Sequence, residues 1–247
     1  AACNLLLRLT RRGKVTPLPF LRNKLSMLGG GLIGLNWGIF VWAVESERVV
    51  EASLGYFMNP LMNVFLGVVF LGEALRKAQW LAVTFAAAGV LWLTISLNAF
   101  PWVSLTLAIS FALYGLIRKV APASPLEGLR VETSVLLIPA VAFVLLRGNA
   151  SENLTSDTAT VILILLSGAV TGIPLLLFAS SAKRIPLSIL GILQYITPTI
   201  QFLLGVFAYS ETFDSNRLIG YSIIWSGLVI FALDSFRFAS SQTSHVE

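Results

Sequence analysis

Apolar stretches of about 20 residues alternate with short polar segments along most of this chain. A helix of about 20 apolar residues spans the roughly 30 Å hydrocarbon core of a bilayer. Because the stretches lack the alternating pattern of barrel strands, they predict helices. We place the predicted spans at residues 25–44, 51–71, 78–97, 101–117, 130–146, 159–182, 186–209 and 217–235. The sequence therefore predicts an all-α integral membrane protein.

Composition supports this prediction. The 247-residue chain is 56% hydrophobic and 12% charged, whereas soluble domains carry about 25% charged residues. Its mean hydropathy is +0.84. The composition excludes a soluble enzyme or a soluble binding domain, and it makes the lipid bilayer the first partner that the sequence predicts.

Basic residues are distributed unevenly among the predicted loops. Of the 17 Lys and Arg residues, only Arg48, Arg147 and Arg217 fall on one side of the predicted membrane. The side with the other basic residues is cytoplasmic by the positive-inside rule. This places the polar tail at 237–247, and with it the C-terminus, in the cytoplasm. Topology accounts for the pI near 9.7, so no nucleic-acid partner is predicted.

The second half of the chain repeats the first at an offset of 138 residues. Residues 51–93 align without a gap on residues 189–231, so that Pro60 falls on Pro198 and Glu73 on Glu211. At this offset, the basic loops of one half align with acidic or neutral loops of the other half. Equivalent loops therefore lie on opposite sides of the membrane, which predicts that equivalent helices cross it in opposite directions. Such inverted repeats are common in secondary transporters.

The offset also predicts the domain boundaries. The repeats are expected at residues 1–100 and 101–236, and five spans fall in the second. The partner of that second repeat would begin before residue 1. We therefore expect a chain that lacks one helix and part of the next, with about eight full transmembrane helices plus the end of another.

Several segments resemble the RarD group of the EamA family, in the drug/metabolite transporter superfamily. They are LNWGIFVWAV at 35–44, EASLGYFMNP at 51–60, FLGE at 70–73, QWLAV at 79–83 and SFALYGLIRK at 110–119. The resemblance extends over residues 25–235. It implies a bacterial inner-membrane protein of two five-helix EamA bundles with a cytoplasmic C-terminus. The group's association by name with chloramphenicol sensitivity implies a drug or metabolite as substrate.

Polar residues within two equivalent spans predict a substrate cavity. Tyr56, Asn59 and Asn63 are spaced by three and four, so they share one helix face. Pro60 on that helix removes a backbone hydrogen bond and predicts a helix break. Paired broken helices in two halves indicate a binding site near the bilayer midplane.

The equivalent stretch of the second repeat has the same spacing. It carries Gln194, Thr197 and Gln201, with Tyr195 beside them and Pro198 as the second predicted break. The alternative is that the amides only join helices, at about 1 kcal/mol each.

Two residues of an earlier span are expected on an adjoining wall of the cavity. Asn36 lies in the middle of that span, and Trp37 follows it. These uncharged linings suit a neutral or zwitterionic solute.

Carboxylates within or next to the spans have two interpretations. Glu132 either carries a proton or pairs with basic loop residues, because an unpaired charge costs roughly 2.5 kcal/mol or more in the membrane. Glu73 and Glu211 are expected to be structural groups at helix ends. Proton coupling thus rests on Glu132.

The chain offers no evident catalytic chemistry. Cys3 is its only cysteine and His245 its only histidine, and neither HExxH nor GxSxG nor a P-loop occurs. No enzyme activity, cofactor or metal is predicted. The predicted function is secondary transport, with export of a small amphipathic metabolite or drug by alternating access around a midplane cavity. The alternative is a membrane scaffold without transport of its own.

Overall fold

The computed structural model describes residues 19–96, 100–146, 158–207 and 215–243, and these ranges contain helices and turns. The helices are α1 Pro19–Glu45, α2 Val49–Leu71, α3 Lys77–Ser96, α4 Trp102–Val120, α5 Pro125–Leu146, α6 Thr158–Arg184, α7 Leu187–Leu193, α8 Ile196–Phe207 and α9 Ser215–Thr243.

Six helical segments in the described ranges are long and apolar enough to cross a membrane. They are Lys24–Glu45, Val49–Leu71, Lys77–Ser96, Trp102–Val120, Val161–Arg184 and Ser215–Arg237. A shorter apolar segment covers Leu187–Ile200. The prediction of an all-helical membrane protein is therefore confirmed in its coarse form.

Local sequence signals explain where two helices begin and end. At the start of α5, Ser124 and Glu127 form a capping box, in which each backbone N–H donates to the other side chain, at 3.0 and 3.3 Å. Pro125 occupies the first helical position, where its missing N–H costs nothing. α2 ends at Leu71, and its C-cap residue, Gly72, has a φ of +65°, the left-handed conformation that glycine adopts without strain.

The chain divides into two compact units. The first unit comprises Ala1–Trp37 and Leu113–Ile185, and the second comprises Gly38–Ala112 and Pro186–Glu247. Each unit draws on both sides of the predicted repeat boundary at residue 100.

In the second unit, α3 and α9 run antiparallel in close contact. A Cβ added at Gly89 would lie 2.8 Å from the Gly220 carbonyl, and one at Gly227 would lie 2.7 Å from the Ala82 carbonyl. Small residues at such crossings let membrane helices approach closely. Buried side chains of α2, α3, α4 and α9 fill the space around this crossing, and they include Leu54, Phe57, Met58, Ala86, Val90, Leu93, Ala108 and Ile224.

The segment after Pro186 forms two short helices instead of one continuous span. α7 ends at Leu193 and α8 begins at Ile196. At the junction, the backbone N–H of Tyr195 donates to Ile192 and that of Thr197 to Gln194, which are three-residue bonds of 3.1 Å. Pro198 has no N–H to offer the Gln194 carbonyl, and this explains why the tightening occurs here. The interruption therefore precedes Pro198 by a turn.

In contrast, α2 continues through Pro60 without interruption. The helix break predicted at this proline is thus absent. Membrane helices tolerate an internal proline when neighbouring groups satisfy the freed backbone. The expected pair of interrupted helices is reduced to one in this structure.

In the first unit, two lysines cap each other's helices. Lys119, at the end of α4, donates to the carbonyls of Ala182 and Ile185 at 3.1 and 2.6 Å. Lys183, at the end of α6, donates to Ala121 at 2.8 Å and also to Ala123. Lysines next to helix C-termini satisfy orphan carbonyls and complement the helix dipole. The ends of α4 and α6 consequently lie together.

Candidate functional site

Three amide side chains of the second unit meet at the interruption between α7 and α8. The Asn63 amide nitrogen donates to Gln194 Oε1 at 2.6 Å, and that of Asn59 donates to the same oxygen at 3.3 Å. Asn63 also approaches Asn59 Oδ1 at 3.5 Å. Asn59 and Asn63 are buried, whereas Gln194 is half-buried. We call these three residues the amide cluster.

The backbone explains why the cluster forms there. Asn59 and Asn63 are one helical turn apart on α2, so both face α7. α7 approaches α2 closely, since a Cβ at Gly191 would lie 2.7 Å from the Pro60 carbonyl and 2.8 Å from Asn63 Cβ. α7 then ends, which leaves Gln194 at its C-cap. The close crossing and the helix end together place a third amide beside two others.

One acceptor of the cluster is unused. Asn63 Oδ1 is buried and has no hydrogen-bond partner among the described residues. A buried polar atom without a partner costs about 1–3 kcal/mol. The cluster thus has capacity for one more donor, such as an N–H or O–H group.

Aromatic side chains surround the interruption on the same unit. The buried Tyr195 hydroxyl donates to the Phe57 carbonyl at 3.1 Å. Trp225 Nε1 donates to Thr199 Oγ1 at 3.0 Å, and the ring of Tyr221 lies between Phe57 and Trp225, with centroids 4.9 and 5.9 Å away. A small apolar pocket beside Tyr195 is lined by Pro60, Leu61, Val64, Ala82, Ala86 and Ile192, among others.

The other predicted cavity residues have different positions. Tyr56 is 40% exposed and packs edge-on against Phe40. Thr197 is exposed, and the contact of Asn59 is with Gln194 instead. Gln201 lies on α8, with its side chain outside the described part, and Pro198 is buried.

Asn36 and Trp37 lie at the end of the first unit's portion of α1. Asn36 is half-buried and Trp37 is 38% exposed. Their expected place on an adjoining wall of the cavity stays a prediction.

Glu132 lies in a second polar cluster, within the first unit. Its Oε1 accepts from Arg118 Nη1 at 3.1 Å, and its Oε2 accepts from the Tyr114 hydroxyl at 3.1 Å. All three side chains are buried. Arg118 also donates to the Pro125 carbonyl at 2.7 Å. Of the two interpretations from the sequence, this geometry matches the ion pair, and proton carriage by Glu132 remains a prediction.

The span predicted at 101–117 ends before Arg118 and leaves it in a loop, and the placement in a loop was wrong. α4 extends to Val120 and buries Arg118. A prediction from hydropathy ends a span at the first charged residue, although a charged residue that is paired can be part of the helix and buried. The spacing of Arg118 and Glu132 across a short loop was the available signal.

Glu73 has a role that its sequence position does not reveal. Its carboxylate accepts three hydrogen bonds from the first residues of α7, at 2.7–2.8 Å. It was expected as a group at the end of its own helix, yet it serves a helix more than 100 residues away.

Charged groups are absent from the contacts within the amide cluster, so it offers hydrogen bonds without net charge. Among the residues described, no group of three or more His, Cys, Asp or Glu side chains could hold a metal ion. The cluster is suited to binding a polar solute.

Comparison with known proteins gives the family. The model of the EamA-like transporter family matches residues 5–95 and 101–233. Protein RarD of Streptomyces exfoliatus is 44% identical over 98% of this chain and 78% of its own length. An uncharacterized transporter of Bacillus subtilis, YojE, is 42% identical over 87% of this chain and 72% of its own.

A solved crystal structure has a similar fold. It is 19% identical, with a TM-score of 0.58, and the match covers 96% of this chain and 94% of the solved one. The apolar helices and the matches over nearly the whole chain agree with the resemblance seen in the sequence. The chain belongs to the EamA-like transporter family, as a RarD-type multi-pass bacterial membrane protein of the drug/metabolite transporter superfamily.

Proposed function

We propose that this protein is a secondary transporter that exports a small amphipathic metabolite or drug across the bacterial inner membrane, with the amide cluster as its solute site. The observation that supports this most directly is the convergence of Asn59, Asn63 and Gln194 at a helix interruption. Interrupted helices near the midplane are where secondary transporters bind their substrates. A scaffold protein would need neither the interruption nor the buried amides.

Alternating access requires two halves that can exchange roles, and reciprocal contacts favour such halves. On α3 and α9, Gly89 faces Gly220 and Gly227 faces Ala82. At the offset of 138 residues, Gly89 is equivalent to Gly227 and Ala82 to Gly220, so each of these contacts is the equivalent of the other. Contacts that exchange in this way are typical of a two-fold axis.

The antiparallel course of these two equivalent helices supports the inverted repeat, with repeats at residues 1–100 and 101–236. Tyr195 and Phe57 are also equivalent under the offset, and they bond to each other. Residues that contact their own equivalents lie next to a two-fold axis. The amide cluster on the adjacent turn is then close to the axis, where both halves can reach a solute.

The chemistry of the cluster favours a neutral or zwitterionic solute. Amides supply donors and acceptors without charge, and Asn63 Oδ1 has capacity for one solute donor. The neighbouring aromatic side chains supply apolar surface and ring faces. A multivalent ion would find no compensating charge in these contacts.

Transport of defined probes into proteoliposomes tests the proposal. The purified protein is reconstituted and supplied with radiolabelled chloramphenicol as a neutral probe, phenylalanine as a zwitterion and citrate as a multivalent anion. We expect uptake of chloramphenicol or phenylalanine and background counts for citrate. Background counts for all three probes, or uptake of citrate alone, would contradict the proposed solute class.

The Asn59→Leu variant tests the site itself. We expect uptake to fall to background because recognition is lost, while the free energy of unfolding changes by about 1 kcal/mol, the value of an interhelical amide bond. Thr84→Val is the matched control, since Thr84 is exposed on α3 and donates to Trp80 of its own helix. Normal uptake by Asn59→Leu would assign the amides to helix packing and favour the scaffold alternative.

Coupling to protons is tested by the same assay under an imposed pH gradient. If Glu132 carries the coupled proton, Glu132→Gln abolishes the response to the gradient while uptake down a solute gradient persists. A retained response places coupling elsewhere, in agreement with its pairing to Arg118.

A further inference from the structure

The start of α7 is a buried helix terminus without a local cap. Leu187 and Ser188 are 0% and 1% exposed, and the N-cap residue, Pro186, makes no side-chain capping bond. The first N–H groups of a helix have no partner within it, and burial removes water as an alternative. A Ser, Thr, Asp or Asn usually fills this place.

Glu73 supplies the missing cap from another part of the chain. Its Oε1 accepts from the Leu187 N–H at 2.7 Å, and its Oε2 accepts from the Ser188 N–H at 2.8 Å and the Ser188 hydroxyl at 2.7 Å. Both carboxylate oxygens of Glu73 thus accept hydrogen bonds from the start of α7. The left-handed Gly72 at the end of α2 turns the chain so that the Glu73 N–H returns to the Gly67 carbonyl at 3.0 Å.

Space at this contact is limited. A Cβ at Gly67 would lie 2.6 Å from Glu73 Oε2 and 3.0 Å from the Ser188 nitrogen. α7 is therefore held on α2 at two points, by Glu73 at its start and by the amide cluster at its end. Because α7 has seven residues, movement of its start displaces Gln194.

We propose that Glu73 is a positioning residue of the transporter: by capping α7 it keeps Gln194 on Asn59 and Asn63. This inference rests on the proposed role of the amide cluster in solute binding. Glu73 itself contacts no solute. It sets the fraction of molecules in which the cluster is assembled, and the apparent affinity for solute scales with that fraction.

The variant Glu73→Gln tests the proposal because glutamine keeps one acceptor oxygen and presents an NH₂ group to the second donor. We expect the half-saturation concentration for the transported probe, chloramphenicol or phenylalanine, to rise about tenfold with an unchanged maximal rate. Ser188→Ala removes one of the three bonds, and about a threefold rise is expected. Glu51→Gln is the control. Glu51 is a carboxylate on the same helix as Gly67, but it pairs with Arg48 and not with the start of α7.

Hydrogen–deuterium exchange of the protein in lipid nanodiscs gives a readout that does not depend on transport. Peptides that cover residues 187–195 should exchange faster in Glu73→Gln, while those of 77–96 should not. Unchanged exchange at 187–195, or faster exchange with a wild-type half-saturation concentration, would overturn the proposal.

The two proposals fail in different ways. Normal transport by Asn59→Leu removes the amide cluster as a solute site, whereas exchange at 187–195 still decides whether Glu73 holds α7. If Glu73→Gln unfolds globally, Ser188→Ala decides, and its failure to raise either quantity would overturn the positioning role.

Discussion

Arg118 and Glu132 show how charged side chains can be buried inside this protein. Arg118 is 1% exposed, yet Glu132 and the Pro125 carbonyl accept from its two terminal nitrogens. Its Nε has no partner among the described residues. A buried pair gains little over apolar side chains of similar size, but loss of one partner leaves an uncompensated charge.

This asymmetry gives a prediction at the residue scale. We expect Glu132→Leu to lower the free energy of unfolding by about 3 kcal/mol or more, because Arg118 stays buried without its carboxylate. The double variant Arg118→Met with Glu132→Leu should recover most of that loss. Unfolding in mixed detergent micelles measures both changes.

Arg130→Gln provides the control for this prediction, since Arg130 is exposed on the same helix. It should leave stability nearly unchanged. A double variant as unstable as Glu132→Leu alone would show that the polar groups are required for more than mutual neutralisation.

Helix crossings in the second unit depend on glycines at which backbones approach. Gly191 is the clearest case, because its missing side chain makes room for the Pro60 carbonyl and for Asn63. At Gly31 on α1, an added Cβ would have nothing within 4 Å, so the lack of a side chain is not required for packing there. Both glycines are helical, but only Gly191 has backbone and side-chain atoms where a side chain would lie.

We therefore expect opposite outcomes for the same substitution at the element scale. Gly191→Ala should destabilise the protein by about 1–3 kcal/mol, because α7 must shift away from α2. Gly31→Ala should be neutral or stabilising by up to about 1 kcal/mol, through better helix propensity. Thermal unfolding in detergent compares them, and equal midpoints would argue against a close α2–α7 crossing.

The bounds of the long helices could be predicted from the sequence more easily than the contacts between them. The span predicted at 51–71 is α2 at Val49–Leu71, because an apolar run and a Gly–Glu pair mark its end. The span at 186–209 was predicted as interrupted at Pro198. The interruption lies one turn earlier, at the Gln194 carbonyl, to which Pro198 has no N–H to donate. Hydropathy contains no information about such hydrogen bonds.

The candidate site could be predicted in part. The spacing of Asn59 and Asn63 indicated a shared polar face, and Gln194 was predicted with them. Thr197 was predicted as part of the same polar face as Gln194, but after the tightened turn at Tyr195 it is exposed. Glu73 could not be assigned to α7 from the sequence, because its partners are backbone N–H groups, which every residue type other than proline offers.

Charge distribution makes a prediction for the whole molecule. The turn after α1 is expected outside and the turn after α4 inside, since nearly all Lys and Arg residues fall on one side. Ser46 and Pro122 lie in these turns and are exposed. In a Cys3→Ser background, Ser46→Cys and Pro122→Cys should react with a membrane-impermeant maleimide from opposite faces of the membrane.

Additional cysteines can test the inverted repeat. Residue 152, in a predicted outer loop outside the described residues, should label from the same side as residue 46. Labelling of residues 122 and 152 from one side would contradict both the topology and the opposite directions of the repeats.

The dependence of α2 on α7 has a consequence for biosynthesis. Asn63 and its partner Gln194 are 131 residues apart in the chain, and Glu73 is 114 residues from Leu187. At about 5–20 residues per second, roughly 7–26 seconds separate the synthesis of Asn63 and Gln194. During that interval α2 and the adjoining Glu73 have been synthesised, whereas the groups at α7 to which Asn63 and Glu73 bond have not. We therefore expect the nascent first half to be exposed to membrane chaperones and quality-control proteases until α7 has been synthesised.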